Sequence, residues 1–273
     1  MIFPDYHLHS DFSSDCNTNI EENIQSAKNK GLSSICITDH YDMDFPVMPQ
    51  APDMTFDLDI EKYYSHMSQI KEKHRDDFDL RIGVELGVMQ KTQDKLTKYV
   101  DEHPEMDFYI ASSHLVDGYD PYYPEYFHGK TEKEAYRRYF ESILDNVKNF
   151  KGYNVYGHID YILRYGPNKA DNFLISDYID LLEETFKTIV YDGKGIEINT
   201  GSLYRGLNFP HPHEEILKLY KACGGEIITV GSDAHKPEYV GYGFEVARDL
   251  LENNGFKYYC TFKKQKPVFE PIA

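Results

Sequence analysis

Twelve histidines fall in 273 residues, and many of them stand with Asp or Glu where short apolar runs end. The first run ends in His7-Leu-His9 and the second in Asp39-His40. The third runs straight into Glu85, and the fourth leads to Ser112-Ser113-His114. The fifth ends in His158-Ile-Asp160, the sixth in Asn199-Thr200, and the seventh in Ser232-Asp233-Ala-His235. An HxH pair alone carries little, since His211/His213 is a second one and reads as helix-cap and surface chemistry. The row as a whole carries more. Imidazoles and carboxylates converging on one mouth are costly without a counter-ion, because buried charges need partners. A shared metal removes that cost. Imidazole plus carboxylate, with no thiolate, is a ligand set for Zn²⁺, Fe²⁺ or Mn²⁺ in hydrolytic sites. His66, His74 and His103 read as solvated, and His128, in an aromatic loop, stays a candidate.

The elements that must position these residues alternate along the chain. The β-type runs are 2–6, 34–38, 80–84, 108–111, 155–157, 195–198 and 227–230. They are short and mostly apolar throughout, as parallel strands covered on both faces are. Helical periodicity fills the intervals, with capping boxes read at Thr18-Asn-Ile-Glu21 and Thr131-Glu-Lys-Glu134. Seven β/α repeats predict an α/β fold, a distorted TIM-like barrel of the (β/α)7 kind, rather than an open doubly wound sheet. Tyr258–Lys263 reads as an extra strand. No domain boundary appears, so residues 1–273 read as one domain. Strand ends are where such folds place their functional sites. Two long connections, 41–58 and 116–130, also follow strands and read as lids or binding loops.

Composition narrows the partners. A net charge of −17 and the lack of a basic patch argue against nucleic acid and against an anionic membrane surface. No apolar stretch is long enough to span a bilayer. The first residues, MIFPDYHLHS, do not read as a signal peptide, so a cytoplasmic location is expected. Cys16, Cys36, Cys223 and Cys260 form no CxxC pair and read as thiols without chemistry. Nothing in the sequence sets an oligomeric state.

Two arginines, Arg164 and Arg205, fall just after strand ends, where bidentate donors suit a phosphate. Together with the blocks YHLHSDFSSD, ICITDH, GVELG, SSH, GHID and VGSDAH, in that order, the chain resembles the PHP (polymerase and histidinol phosphatase) family of metal-dependent phosphoesterases. Its length and opening look most like the monofunctional histidinol-phosphatase branch. That resemblance implies a distorted seven-stranded barrel with two to three divalent metal ions. It implies His7, His9, Glu85 and Asp233 around a first metal, and Glu85, His114 and His158 around a second. It implies Asp15, His40 and His235 around a third. Many relatives carry His where this chain has Asp15, and a harder, charged ligand there favours iron or manganese over zinc. The branch also implies that arginines in the places of Arg164 and Arg205 hold phosphate.

The implied reaction is hydrolysis of L-histidinol phosphate to L-histidinol and phosphate, in histidine biosynthesis, by a metal-bridging hydroxide attacking phosphorus. Another small-molecule phosphoesterase of the family, acting on a nucleotide or sugar phosphate, is the alternative. Three divalent ions against Asp15, Glu85 and Asp233 would leave the site at about +3, so an acidic protein can still hold a phosphate dianion. Asp160 reads either as the acid for the leaving alkoxide or as a group orienting a ligand His. Asp42, Asp44, Asp117, Asp120 and the loop tyrosines read as a seat for the amine and imidazole of the substrate.

Overall fold

The computed structural model describes residues 3–272. A parallel sheet curls around a central axis, and its strands follow one another in chain order. They are β1 (Ser34–Ile37), β2 (His40–Tyr41), β3 (Asp79–Gly87), β4 (Phe108–Ser112), β5 (Val155–Tyr156), β6 (Gly195–Asn199) and β7 (Ile228–Gly231). The short β2 prolongs β1 along the far half of β3, pairing His40 with Glu85. The expected first strand is an irregular ribbon over residues 5–9, and Ile2 lies outside the described residues. This ribbon joins the two sheet edges. Cys36 and Thr38 of the β1 side donate to the carbonyls of Asp5 and Leu8, while Tyr6 and His9 donate to Val230 and Ala234 on the β7 side. The ring is therefore closed, a distorted (β/α)7 barrel rather than an open sheet.

Side chains alternate along each strand, so every second residue faces the barrel axis. In β4, Tyr109 and Ala111 join the outer core under the helices, while Phe108 and Ile110 join an inner cluster with Tyr6, Cys36 and Val155. The same period puts Glu85 of β3 and Glu197 of β6 on the inner face, because Val84, Leu86, Ile196 and Ile198 occupy the outer core. Gly231 permits the ribbon to close. A Cβ there would stand 2.3 Å from His7 Cβ and 2.5 Å from Glu197 Oε1.

The helices lie outside, each with its apolar stripe inward. They are α1 (Ile20–Asn29), α2 (Ile60–His74), α3 (Gln93–Glu102), α4 (Glu132–Asn149), α5 (Ile179–Tyr191), the single turn α6 (Gly201–Tyr204), α7 (Glu214–Ala222) and α8 (Phe244–Asn253). The capping box at Thr131/Glu134 forms as expected. The first one is shifted by a residue: Asn19 caps α1 with Glu22, and Thr18 instead donates its hydroxyl to the carbonyl of His235. The extra strand is half of a hairpin, β8 (Tyr258–Lys263) with β9 (Lys266–Pro271). Its Cys260 and Phe262 plug the end of the barrel opposite the histidines. All four cysteines are free. Among the described residues, no helix is long and apolar enough to cross a membrane.

Candidate metal centre

Glu85 is the hub. It is fully buried on the inner face of β3, and its two oxygens face two groups of imidazoles. Oε2 lies 3.1 Å from His7 Nε2, 2.9 Å from His40 Nδ1 and 3.6 Å from His9 Nε2. Oε1 lies 3.0 Å from His158 Nε2 and 3.2 Å from His114 Nε2, and it accepts a hydrogen bond from Ser112 Oγ at 2.6 Å. Asp233 extends the cluster, with Oδ1 at 3.4 Å from His9 Nε2 and 3.6 Å from His235 Nδ1. Asp15 Oδ2 lies 3.1 Å from His235 Nε2 and 3.7 Å from His40 Nε2. The structure thus brings together all nine positions named from the sequence: His7, His9, Asp15, His40, Glu85, His114, His158, Asp233 and His235.

The donor set fits divalent ions. His7 Nε2, His9 Nε2, His40 Nδ1 and Glu85 Oε2 are buried and crowd one another without forming a hydrogen bond of proper geometry, and His158 Nδ1 is buried without a hydrogen-bond partner among the described residues. Orphaned polar atoms this deep are costly unless a cation draws them together. The outward nitrogens are anchored instead. His7 Nδ1 meets Glu197 Oε1 at 2.6 Å, His114 Nδ1 meets Asp42 Oδ2 at 2.7 Å, and His9 Nδ1 meets Ser13 Oγ at 3.3 Å. Such outer partners fix the tautomer and turn the other nitrogen toward a metal. Subsets of the cluster, such as Glu85 with His114 and His158, place one donor atom each within 4.8 Å of one another.

The electrostatics are those of a charged cluster out of water. Burial alone would push the Glu85 carboxyl up, but His7, His40 and His114 outweigh it and hold it well below the usual carboxylate range. Burial opposes a proton on His7, yet Glu197 and Glu85 raise its affinity for one well above normal. His9 goes the other way, pushed well down by burial and by His235 and His40. The buried carboxylates Asp39, Asp42 and Glu197 also offset the positive surplus that three divalent ions would leave over Asp15, Glu85 and Asp233. The arginines restore a cationic face toward the cavity.

The cluster opens into a cavity of about 380 Å³. Phe45, Met48, Met54 and Phe56 of the 41–58 connection and Asp120, Tyr122 and Tyr123 of the 116–130 connection wall it, as expected of binding loops. Arg164 and Arg205 both line it. Arg164 lies against the rings of Tyr161 and Tyr165 at 4.7 and 5.0 Å, buried, with Nε and Nη1 unpartnered. Arg205 is more engaged: Nη1 donates to Asp233 Oδ2 at 3.0 Å and Nη2 to the Asp233 carbonyl at 3.2 Å.

Several expected roles do not fit. Asp160 is fully buried and absent from the cavity wall. Its Oδ1 pairs with His211 Nδ1 at 2.7 Å, and its Oδ2 accepts the His213 N–H at 2.7 Å. It therefore neither faces a leaving group nor orients His158; it ties the loop before α7. His213 caps that helix as expected, but His211 is buried as the partner of Asp160 rather than on the surface. Asp44 pairs with Lys95 and Asp117 with Arg138, outside the cavity. His128 is exposed and does not line the cavity. His74 is mostly covered and pairs with Glu21 at 2.8 Å. Sequence reading missed Glu197 and Ser13 as anchors of ligand imidazoles. A glutamate between two isoleucines in Gly-Ile-Glu-Ile-Asn was the available signal, because an inward charge in an apolar strand needs a partner.

Comparison with known proteins agrees with this geometry. The PHP domain family model matches residues 5–201. Over 263 residues the chain is 31% identical to the histidinol-phosphatase of Lactococcus lactis subsp. lactis (strain IL1403), covering 96% of this chain and 95% of that protein. It is 33% identical over 272 residues to a probable histidinol-phosphatase of Clostridium acetobutylicum, covering 98% and 96%. The crystal structure of the Lactococcus lactis histidinol phosphate phosphatase, complexed with zinc, L-histidinol and phosphate, superposes with a TM-score of 0.85 at 30% identity, over 97% of this chain and 98% of that one. Arg205, Asp233 and His235 lie beyond the matched residues but complete the same barrel mouth. On the matched residues and these near full-length likenesses, the chain belongs to the PHP family.

Proposed function

We propose that this chain hydrolyses L-histidinol phosphate to L-histidinol and phosphate as a metal-dependent phosphomonoesterase. The observation that carries it is the convergence of eight further imidazoles and carboxylates on Glu85 and its neighbours, beside the Arg164 guanidinium with its unpartnered Nε and Nη1, at the mouth of one cavity. The near full-length likeness to histidinol-phosphatases supports the substrate.

His7, His9, Glu85 and Asp233 would hold one ion, Glu85 with His114 and His158 a second, and Asp15, His40 and His235 a third. Bound there, divalent ions supply Lewis acidity toward phosphoryl oxygens and a nucleophile from water near neutral pH. The chain's own residues do the rest. Glu197 and Asp42 keep His7 and His114 in the deprotonated-inward tautomer. Arg164, locked by two tyrosine rings, offers a planar fork to the phosphate. Arg205 tempers Asp233 and adds positive charge on the same side. The aromatic walls exclude water from the leaving alcohol. The whole chain works as one catalytic domain.

The test is phosphate release from L-histidinol phosphate beside sugar phosphates and nucleotides, with bound metals counted and His9→Ala and Glu85→Ala as controls. A strong preference for L-histidinol phosphate, lost together with metal in the controls, is the expected result. Equal activity across the other phosphates would keep the metal chemistry and overturn the substrate.

A further inference from the structure

Five carboxylates line the cavity, and four of them have partners in the cluster: Asp15, Asp42, Glu85 and Asp233. Asp120 is the exception. Its Oδ1 accepts the Tyr122 N–H at 2.8 Å, which fixes its direction, and among the described residues it makes no ion pair. Around it stand π faces. Tyr122 packs edge-on against Tyr123 at 5.0 Å and Tyr165 at 5.4 Å, and Phe45 meets Phe56 at 4.9 Å across the same cavity. A half-buried, unpaired carboxylate among aromatic rings is a seat for an organic cation, held by charge and by ring quadrupoles. His114 of the Glu85 cluster and the Arg164 guanidinium are near enough to act on the Asp120 charge, but neither pairs with it, so the carboxylate keeps a free face to the cavity.

On the reading above that this is a phosphomonoesterase, we infer that Asp120 and its aromatic surround bind a cationic nitrogen of the leaving alcohol, so that the site selects phosphate monoesters of amino alcohols over neutral ones. Asp44 and Asp117 have no part in this, since each is paired with a surface cation outside the cavity.

The test is Asp120→Asn, which keeps an acceptor for the Tyr122 N–H and removes the charge. Metal-loaded enzyme is assayed on L-histidinol phosphate, on its analogue lacking the amine, and on p-nitrophenyl phosphate. A hydrogen bond to a charged group is worth enough that kcat/KM for L-histidinol phosphate should fall roughly tenfold or more beyond any fall for p-nitrophenyl phosphate, mainly through KM. If the amine is the bound cation, the analogue loses this sensitivity; if the imidazolium is, it keeps it. Equal effects on all substrates, or none, would overturn the inference. Should wild type cleave p-nitrophenyl phosphate but not L-histidinol phosphate, the substrate assignment fails by itself. Phosphoethanolamine against ethyl phosphate then decides the inference: a preference for the first that Asp120→Asn abolishes supports it, and no preference overturns it.

Discussion

Glu85 is reached by five imidazoles, and what distinguishes those rings is the group behind each one. His7 has Glu197 behind it at 2.6 Å, and Glu197 also accepts the His158 N–H at 3.1 Å. One buried carboxylate thus anchors the imidazole of His7 and the backbone of His158. Glu197→Gln keeps the size and loses the charge that makes His7 a stronger donor. Metal affinity, read by competition with a coloured chelator, should fall by about 10- to 100-fold, as for other outer partners of ligand imidazoles. An unchanged affinity would mean that the contact only fills space. Asp233 shows a related economy. It adopts a left-handed backbone, φ 55°, tolerated best by Asp and Asn among side chains of its kind. Asp5 holds the preceding turn by accepting from the Ser232 N–H and hydroxyl.

At the scale of elements, the barrel has two differently filled ends. Its strand-end mouth is polar because period-two alternation delivers Glu85, Ser112 and Glu197 inward above the apolar layer. Its other end is sealed by the β8–β9 hairpin. Phe262 is buried against Phe108, and its backbone exchanges hydrogen bonds with the Tyr6 hydroxyl at 3.1 Å. Asp107 receives the hairpin turn from Lys264 N–H at 3.1 Å. The plug is remote from the metal ligands, so it should act on stability and not on chemistry. Phe262→Ala should cost about 3–5 kcal/mol by lost burial and the cavity left behind. Thermal unfolding reads this, while metal content per folded chain should stay at the wild-type value. Loss of metal in step with stability would show that the plug also shapes the mouth.

For the whole molecule, charge sets the behaviour. The chain carries −17, and five of its carboxylates line one mouth. Bound cations therefore serve the fold as well as the reaction. Ligands that bind only the folded state add stability by mass action, about 2.7 kcal/mol at a hundredfold excess over Kd. Removing metal with a chelator should lower the melting temperature and abolish phosphatase activity together, and re-added divalent ions should restore both. A melting temperature indifferent to the chelator would argue that the cluster is satisfied without ions.

The sequence by itself determined the barrel class and the set of imidazoles and carboxylates that converge at its mouth. Both rest on local patterns: apolar runs that must be strands, and His, Asp or Glu placed where those strands end. Parallel β/α units send every strand end to the same face, so order along the chain was enough to predict convergence of His7, Glu85 and Asp233. Single-residue partnerships were not legible, because they depend on which loops meet. Asp160, two residues from His158, turns away to His211, since the loop before α7 folds back over it. Asp117 and Asp120 lie three residues apart in one connection, yet one pairs with Arg138 on α4 and the other faces the cavity. Thr18 and Asn19 are both competent caps, and the carbonyl of His235, remote in sequence, claimed the threonine. Tertiary structure decided these because a polar side chain goes to the partner that packing brings within reach, and only the closed barrel says which partner that is.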